Sequence, residues 1–388
     1  MAPHPGALRG NATGTARAME HATLPDAAPR DRTEIDVLDP ATGELLDVIP
    51  AGDEAAADAA ARAARAAQPA WRRTAPAERA EVLKAAARRL REHVDELAEL
   101  QTREGGKPLA DSRGGVEAGL GAIEQYAELG PLHRGRSLQG GWDATDLMVH
   151  EPRGVCALLV PWNDPVALAC GQLAACLVAG NAVVLKPSEK TPLSTRRLVE
   201  LLDLPDGILQ LLLGDARAGR PLAAHPDVDL VLHTGSVATG REIAAACAHG
   251  LRKGLLELGG KDPLIVDAGV DPAWAAAQAA TGAFANAGQL CTSVERIYVH
   301  ADVAQPFSAA LVERARALRV GPGLDPHTDM GPMIDAAQRS LVERQVEDAV
   351  RGGAELLAGG VTPAGTGCFY PPTVLSGCTP TMAVMADE

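Results

Sequence analysis

Residues 154–249 alternate short apolar runs with alanine-rich stretches, and that alternation restricts the fold more than any other feature of the chain. GVCALLV and GNAVVLK are runs of strand length that end in the polar turns PWNDP and PSEKTP, with the helical pattern VALACGQLAACLVAG between them. DVDLVLHTGS is a third such run and feeds a helix around ATGREIAAACAHG. Strand, helix, strand at this spacing specifies a parallel α/β unit whose functional loops gather at the carboxyl ends of the strands. PLIVDAG before PAWAAAQAATGAFANAG, and RIYVHADV before a helix from about Val303 to Leu318, continue the alternation. The chain therefore reads as α/β, a first domain over 37–254 and a second α/β domain over 255–388, divided near Gly254.

Upstream, residues 1–36 spread Pro, Gly, Thr and Asp without an apolar period and read as a flexible tail. IDVLDP is a first strand and DPATGELL a turn into a second. EAAADAAARAARAAQPAW is a strong helix former expected to stop near Pro69. The next segment places Leu83, Leu90, Val94, Leu97 and Leu100 on one helical face and should end at Gly105, Gly106 and Pro108.

Fifty acidic against 36 basic residues give a formal charge of -14, which opposes binding to nucleic acid or to anionic membranes. No run of 18 apolar residues and no secretory signal pattern is present, and the seven cysteines are dispersed without a CxxC pair. That usage suits a cytoplasmic protein with free thiols. HxxxH and HExxH are absent, so no metal site is expected.

Two groups carry the chemistry. Glu257 ends an apolar run, LLELGG, and Cys291 follows a glycine-containing turn, AGQLCTS, 34 residues later. Brought together, a thiolate can attack an electrophilic carbon and a carboxylate can activate the water that releases the product. A carboxylate inside an apolar run is expected to be partly buried, which would make it a better base. Asn163, at the carboxyl end of a strand, could offer its amide N–H, beside the backbone N–H of Cys291, to a developing alkoxide. Lys186 could reach a ribose hydroxyl or phosphate from a strand end, and Glu189 could accept from ribose hydroxyls while repelling a 2'-phosphate. Gly235, Ser236 and Gly240 would let a pyrophosphate approach a helix N-terminus. Neither GxGxxG nor a Walker A motif occurs.

GQLC and LELGGK, with PWN, GNAVVLKPSEKTPLST and HTGSVATG in the same order, resemble the motifs of the NAD(P)-dependent aldehyde dehydrogenase superfamily from about Leu38 to Glu388. The resemblance implies a Rossmann-like cofactor domain and a catalytic domain, with Cys291 as nucleophile, Glu257 as general base and Asn163 as oxyanion donor. It implies further that Trp162, Lys186, Ser188, Glu189, Gly235, Ser236, Gly240, Leu258 and Glu388 bind the cofactor, NAD with NADP possible. An oligomerisation arm is implied near 131–154, in a homodimer or homotetramer acting on a small-molecule aldehyde.

Departures from the pattern are Asp164 for a large apolar residue, Gln172 for a lysine and His233 for an aromatic. Asp164 would bring negative charge near the substrate tunnel and favour uncharged aldehydes. Glu388 matches the glutamate of an ETFGPV-type motif, so the catalytic domain is expected to be incomplete at its C-terminus. Alternative readings are a catalytically silent homologue acting in binding or oligomer contact, and a CoA-acylating aldehyde dehydrogenase. The latter needs no base, and Glu257 argues against it.

Overall fold

A computed structural model describes residues 33–388, which form one compact unit. Strands β1 (Glu34–Leu38) and β2 (Leu45–Pro50) pair as an antiparallel hairpin. Of the tail expected over 1–36, residues 1–32 lie outside the described residues, and β1 already begins at Glu34. Four helices follow, α1 (Glu54–Arg73), α2 (Pro76–Arg91), α3 (Val94–Gly105) and α4 (Leu109–Leu129). A second hairpin, β3 (Arg136–Leu138) with β4 (Asp146–Met148), lies within residues 131–154 and exposes Leu138, Trp142 and Leu147.

The alternating region then runs β5 (Val155–Val160), α5 (Pro165–Val178), β6 (Ala182–Pro187), α6 (Pro192–Leu202), β7 (Leu209–Leu211), α7 (Ala216–Ala224), β8 (Leu230–Gly235), α8 (Val237–His249) and β9 (Lys253–Leu258). Its five strands form one parallel sheet in the order β7-β6-β5-β8-β9. A second parallel pair joins β10 (Asp262–Val266) and β11 (Val294–Val299), with α9 (Pro272–Phe284) between them and α10 (Ala301–Ala317) after. Helix α11 (Ala336–Arg351), the antiparallel strands β12 (Glu355–Ala358) and β13 (Val374–Ser376), and α12 (Ala383–Ala386) complete the described chain. The cut placed near Gly254 passes through β9, which completes the first sheet.

Side chains alternate across that sheet with a period of two. Cys156, Leu158, Val160, Val183, Leu185 and Leu232 pack beneath α2 to α6, whereas Val155, Ala157, Val184 and Val231 pack beneath α1, α7 and α8. Both faces are covered, which is why these strands read as unbroken apolar runs. Ala57, Ala61 and Ala64 are fully buried, so α1 lies close to the sheet.

Two helix boundaries differ from the sequence reading. Helix α1 continues through Pro69 to Arg73, because Trp71 beyond the proline is buried and donates its indole N–H to Leu177 O at 2.9 Å. That anchoring offsets the backbone bond a proline removes. The long segment after Pro76 breaks between α2 and α3, where His93 leaves helical geometry, while Leu90, Val94 and Leu97 stay buried. Gly106 ends α3 in the left-handed conformation at φ 79°, as a glycine cap allows.

Helix α6 is capped from another element. Its own N-cap, Thr191, makes no side-chain capping bond. Glu104, in the last turn of α3, instead accepts from Leu193 N at 2.6 Å, from Ser194 N at 2.9 Å and from Ser194 Oγ. The carboxylate is 1 % exposed, and burial pushes it up to about 7 against these hydrogen bonds. Since its folded pKa lies above the unfolded value of 4.5, the folded chain holds the extra proton between those values. Stability therefore falls as pH rises through that window. Glu104→Gln removes the titration, so between pH 5 and pH 7.5 the wild-type unfolding midpoint should drop by roughly 5 °C more than that of the variant. Parallel midpoints in thermal unfolding followed by circular dichroism would contradict it.

Candidate active site

Cys291 lies in a turn between α9 and β11. Helix α9 closes in a short 3-10 turn over Ala285–Gly288, where Asn286 (φ 49°) and Ala287 (φ 56°) both take the left-handed region. Non-glycine residues pay for that conformation, so the turn must be held from outside. Gln289 supplies much of the hold: its side chain donates to Asn286 O at 3.0 Å and accepts from Ile334 N at 2.9 Å. Among the seven cysteines, Cys291 alone is exposed; Cys156, Cys170, Cys176 and Cys247 are buried, and Cys368 and Cys378 are half-buried.

The loop after β5 meets this turn directly. Asn163 Nδ2 donates to Gln289 O at 2.9 Å, and Asn286 Nδ2 donates to Asn163 O at 3.3 Å. Asn163 Oδ1 accepts from Asp164 N at 3.0 Å, which fixes the amide orientation. A primary amide has two N–H donors, so one remains for a reacting oxygen after Gln289 is satisfied.

Glu257 belongs to β9 and lines the same cleft of about 820 Å³ as Cys291 and Asn163. It is exposed, not partly buried as its apolar neighbours suggested, because β9 is the edge strand of the sheet. The loop after it is packed against the Cys291 turn: a Cβ on Gly260 would sit 3.6 Å from Cys291 O. Lys261 pairs with Glu295 at 3.1 Å, and Arg296 Nε donates to Lys261 O at 2.8 Å, joining the two segments again. The Glu388 carboxylate packs onto Gly259, and desolvation, followed by repulsion from Glu295, raises its pKa. Leu258 fills the space beside Gly240, where a Cβ would lie 2.5 Å from Leu258 Cδ2. The close approach at Gly240 is thus packing of α8 on β9.

A second set of groups follows the carboxyl edge of the sheet on its α7–α8 face. Lys186 is 6 % exposed, donates to Pro187 O at 2.8 Å, and packs its stem 3.4 Å from the Gly219 Cβ position on α7. Burial lowers its pKa, while Glu189 and Asp215 act in the opposite sense. Ser188 Oγ accepts from Lys190 N at 3.3 Å and shapes the loop that carries Glu189. Lys190 stands 5.4 Å over the Trp162 ring and pairs with Asp335 at 2.6 Å, so this loop is tied to the N-terminus of α11. Gly235 leads into α8, whose N-cap Ser236 accepts from Thr239 N at 3.2 Å. A buried ammonium, a half-buried carboxylate and a helix N-terminus along one face fit the ribose and pyrophosphate of a dinucleotide. Among the described residues, no three His, Cys, Asp or Glu side chains gather as a metal site. No helix among them is long and apolar enough to cross a membrane.

Asp164 does not face the cleft. Its carboxylate pairs with Lys107 at 3.1 Å, accepts from Gln101 Nε2 at 3.3 Å and lies 2.5 Å from the Gly115 Cβ position on α4. The expectation that it repels anionic aldehydes is therefore corrected: its charge is paired with a buried ammonium. Gln172 Nε2 donates to Thr234 Oγ1 at 2.8 Å, bridging α5 to β8. Gln289, Asn286, Lys107 and the Lys190–Asp335 pair went unremarked in the sequence. The Gln of GQLC was visible, but its role depends on segments 126 and 45 residues away.

The sequence model of the aldehyde dehydrogenase family matches residues 27–388. Betaine aldehyde dehydrogenase of Cereibacter sphaeroides is 39 % identical over 362 residues, 91 % of this chain and 74 % of that protein. The crystal structure of betaine aldehyde dehydrogenase from Staphylococcus aureus in complex with NAD+ superposes with a TM-score of 0.89 at 32 % identity, covering 92 % of this chain and 73 % of that one. PnpE in complex with nicotinamide adenine dinucleotide gives 0.86 at 36 % identity, covering 88 % and 72 %.

Exposure of one thiol among seven has a direct readout. Brief treatment with iodoacetamide at neutral pH should alkylate Cys291 first, then Cys368 and Cys378, with the four buried thiols reacting only after unfolding. Peptide mass mapping that found Cys156, Cys170, Cys176 or Cys247 labelled ahead of Cys291 would contradict the turn geometry.

Proposed function

This chain belongs to the aldehyde dehydrogenase family, and we propose that it oxidises an aldehyde to a carboxylic acid through a covalent intermediate on Cys291. The observation that carries the reading is the convergence of an exposed thiol, the tethered amide of Asn163 and the carboxylate of Glu257 on one cleft. NAD, when bound, supplies the hydride acceptor. Cys291 Sγ, as thiolate, bonds to the aldehyde carbon, and the carbonyl electron pair moves onto oxygen. The second N–H of Asn163 and the backbone N–H of Cys291 are the donors for that oxyanion. Oxidation leaves the acyl group on Sγ as a thioester. Glu257 then accepts a proton from water, whose oxygen attacks the acyl carbon, and the carboxylic acid leaves as the thiolate is restored.

Its exposure leaves Glu257 free to reach a water in the cleft. A base at this position favours hydrolysis over transfer to CoA. Glu388, packed on Gly259, and Leu258, beside Gly240, border the same cleft and serve as walls of the cofactor end. Exposed Leu138, Trp142 and Leu147 of the β3–β4 hairpin are the contact surface of a homodimer or homotetramer. Free thiols, with a thiol as nucleophile, suit a reducing cytoplasm.

Hydrolysis and acyl transfer to the enzyme separate in one variant. Glu257→Gln keeps shape and hydrogen bonding but removes the base. Rapid mixing with aldehyde and NAD should give a burst of NADH of about one per competent site, a weak steady state, and a mass adduct on Cys291. Turnover at the wild-type rate would remove Glu257 from the role.

Glu189 tests the cofactor. kcat/KM should be higher with NAD than with NADP, and Glu189→Ser should narrow the ratio by removing repulsion of the 2'-phosphate. A wild-type preference for NADP would contradict the assignment.

A further inference from the structure

The helices that follow β5 and β6 begin differently from the others around them. Where Asp53, Asp215, Ser236 and Asp335 cap a helix with their own side chains, each stands in extended backbone, with ψ of -168°, -151°, 148° and 174°. Asp164, the N-cap of α5, makes no such bond and has ψ 65°; Thr191, the N-cap of α6, makes none either and has ψ 60°. Aspartate is among the strongest N-cap residues, so a carboxylate here that leaves the helix N–H groups alone is held by something else. Pro165 has no N–H, and Val166 and Ala167 carry the donors that Asp164 forgoes.

Both holds come from the end of α3. Glu104 caps α6, and three residues on, Lys107 pairs with the Asp164 carboxylate at 3.1 Å, joined there by Gln101 Nε2 at 3.3 Å. Lys107 is 5 % exposed, so the ammonium cannot trade this partner for water. Its own backbone is fixed: Leu109 N donates to Gly323 O at 3.0 Å, and a Cβ on Gly323 would sit 2.5 Å from Lys107 O. Pro332, whose carbonyl accepts from Gln289 Nε2 at 3.5 Å, packs on Gly106, where a Cβ would lie 2.6 Å from Pro332 Cγ. The segment that steadies the Cys291 turn thus also steadies Lys107.

Asp164 passes this hold to Asn163. Its backbone N–H donates to Asn163 Oδ1 at 3.0 Å, which leaves Asn163 Nδ2 for Gln289 O at 2.9 Å and for a reacting oxygen. To reach Val166 or Ala167, the carboxylate would need the extended ψ of the other caps, a rotation of about 90° at the residue that carries this N–H. With α5 packed in the core, that rotation displaces the Asn163 loop. We propose that Lys107 is a positioning residue for the oxyanion donor: by drawing the Asp164 carboxylate away from α5, it sets the backbone that aims the Asn163 amide. The inference rests on the role given to Asn163 above and adds what holds it in that role.

Acyl transfer from p-nitrophenyl acetate tests it without the cofactor. Cys291 Sγ, as thiolate, bonds to the acetyl carbon, the carbonyl electron pair moves onto oxygen and returns, and the C–O bond breaks to release p-nitrophenolate. Alkylation by iodoacetamide, a displacement at a methylene carbon, forms no oxyanion and serves as the control. In Lys107→Met the acylation rate should fall roughly 10- to 100-fold, with alkylation of Cys291 within about twofold of wild type. Lys107→Met/Asp164→Ala, which removes the carboxylate as well, should regain most of that rate. Wild-type acylation in Lys107→Met would overturn the proposal, as would an equal loss in both reactions, the mark of general damage to the turn, or no recovery in the double variant. Should Lys107→Met fail to fold, Asp164→Ser and Asp164→Ala take its place. Neither side chain reaches Lys107, but only serine caps α5, so Asp164→Ser should acylate more slowly than Asp164→Ala. Equal rates overturn the assignment. A wild-type chain that reacts with iodoacetamide at Cys291 but accepts no acetyl there would instead remove the oxyanion reading, and this inference with it.

Discussion

The hydrogen bond from the Asn163 amide to the carbonyl of Gln289 is the interaction on which the site depends. Each side has little reason to hold its shape alone. The turn before Cys291 contains two consecutive non-glycine residues in left-handed geometry, and the Asn163 loop is a short excursion off a strand end. Linked, they restrain one another: Gln289 closes onto Asn286, Asn286 reaches back to the Asn163 carbonyl, and Ile334 seals the far side. Local strain of this kind persists only where surrounding bonds over-determine it, and here the bonds come from three distant parts of the chain.

That arrangement uses the parallel sheet as a ruler. Strands β5, β6 and β8 run in register, so groups near or just past their carboxyl ends, Asn163, Lys186 and Ser236, are separated by strand spacings and not by loop lengths. The loops are held in turn by elements beneath them. Glu104 caps α6 from α3, and Lys190 reaches Asp335 at the start of α11. Both contacts secure the α6 side of the loop bearing Ser188 and Glu189.

The layered architecture could be read directly from the chain because both faces of the central strands are covered, leaving apolar runs that only a buried parallel sheet explains. Gly106 and the alternation through β8 and α8 were equally plain. Pro69 misled because its local penalty is outweighed by the burial of Trp71, a tertiary effect with no local signature. Exposure of Glu257 was missed for a related reason: an apolar run says nothing about whether its strand lies at the edge of the sheet. Asp164 was assigned to the wrong side of its loop, since the partner that draws it away, Lys107, is 57 residues earlier and announces nothing by itself.

Asp164, Lys107 and Gly115 form a set with a history implied in it. An apolar residue at 164 would strand the buried ammonium of Lys107, and any side chain at 115 would press on the carboxylate. None of the three can drift alone without passing through a form burdened by an unpaired charge or a steric overlap. Descendants of this chain should therefore inherit the trio intact or exchange its members together, and where Asp164 gives way to a bulky residue, compensation at 107 and 115 should appear on the same branch.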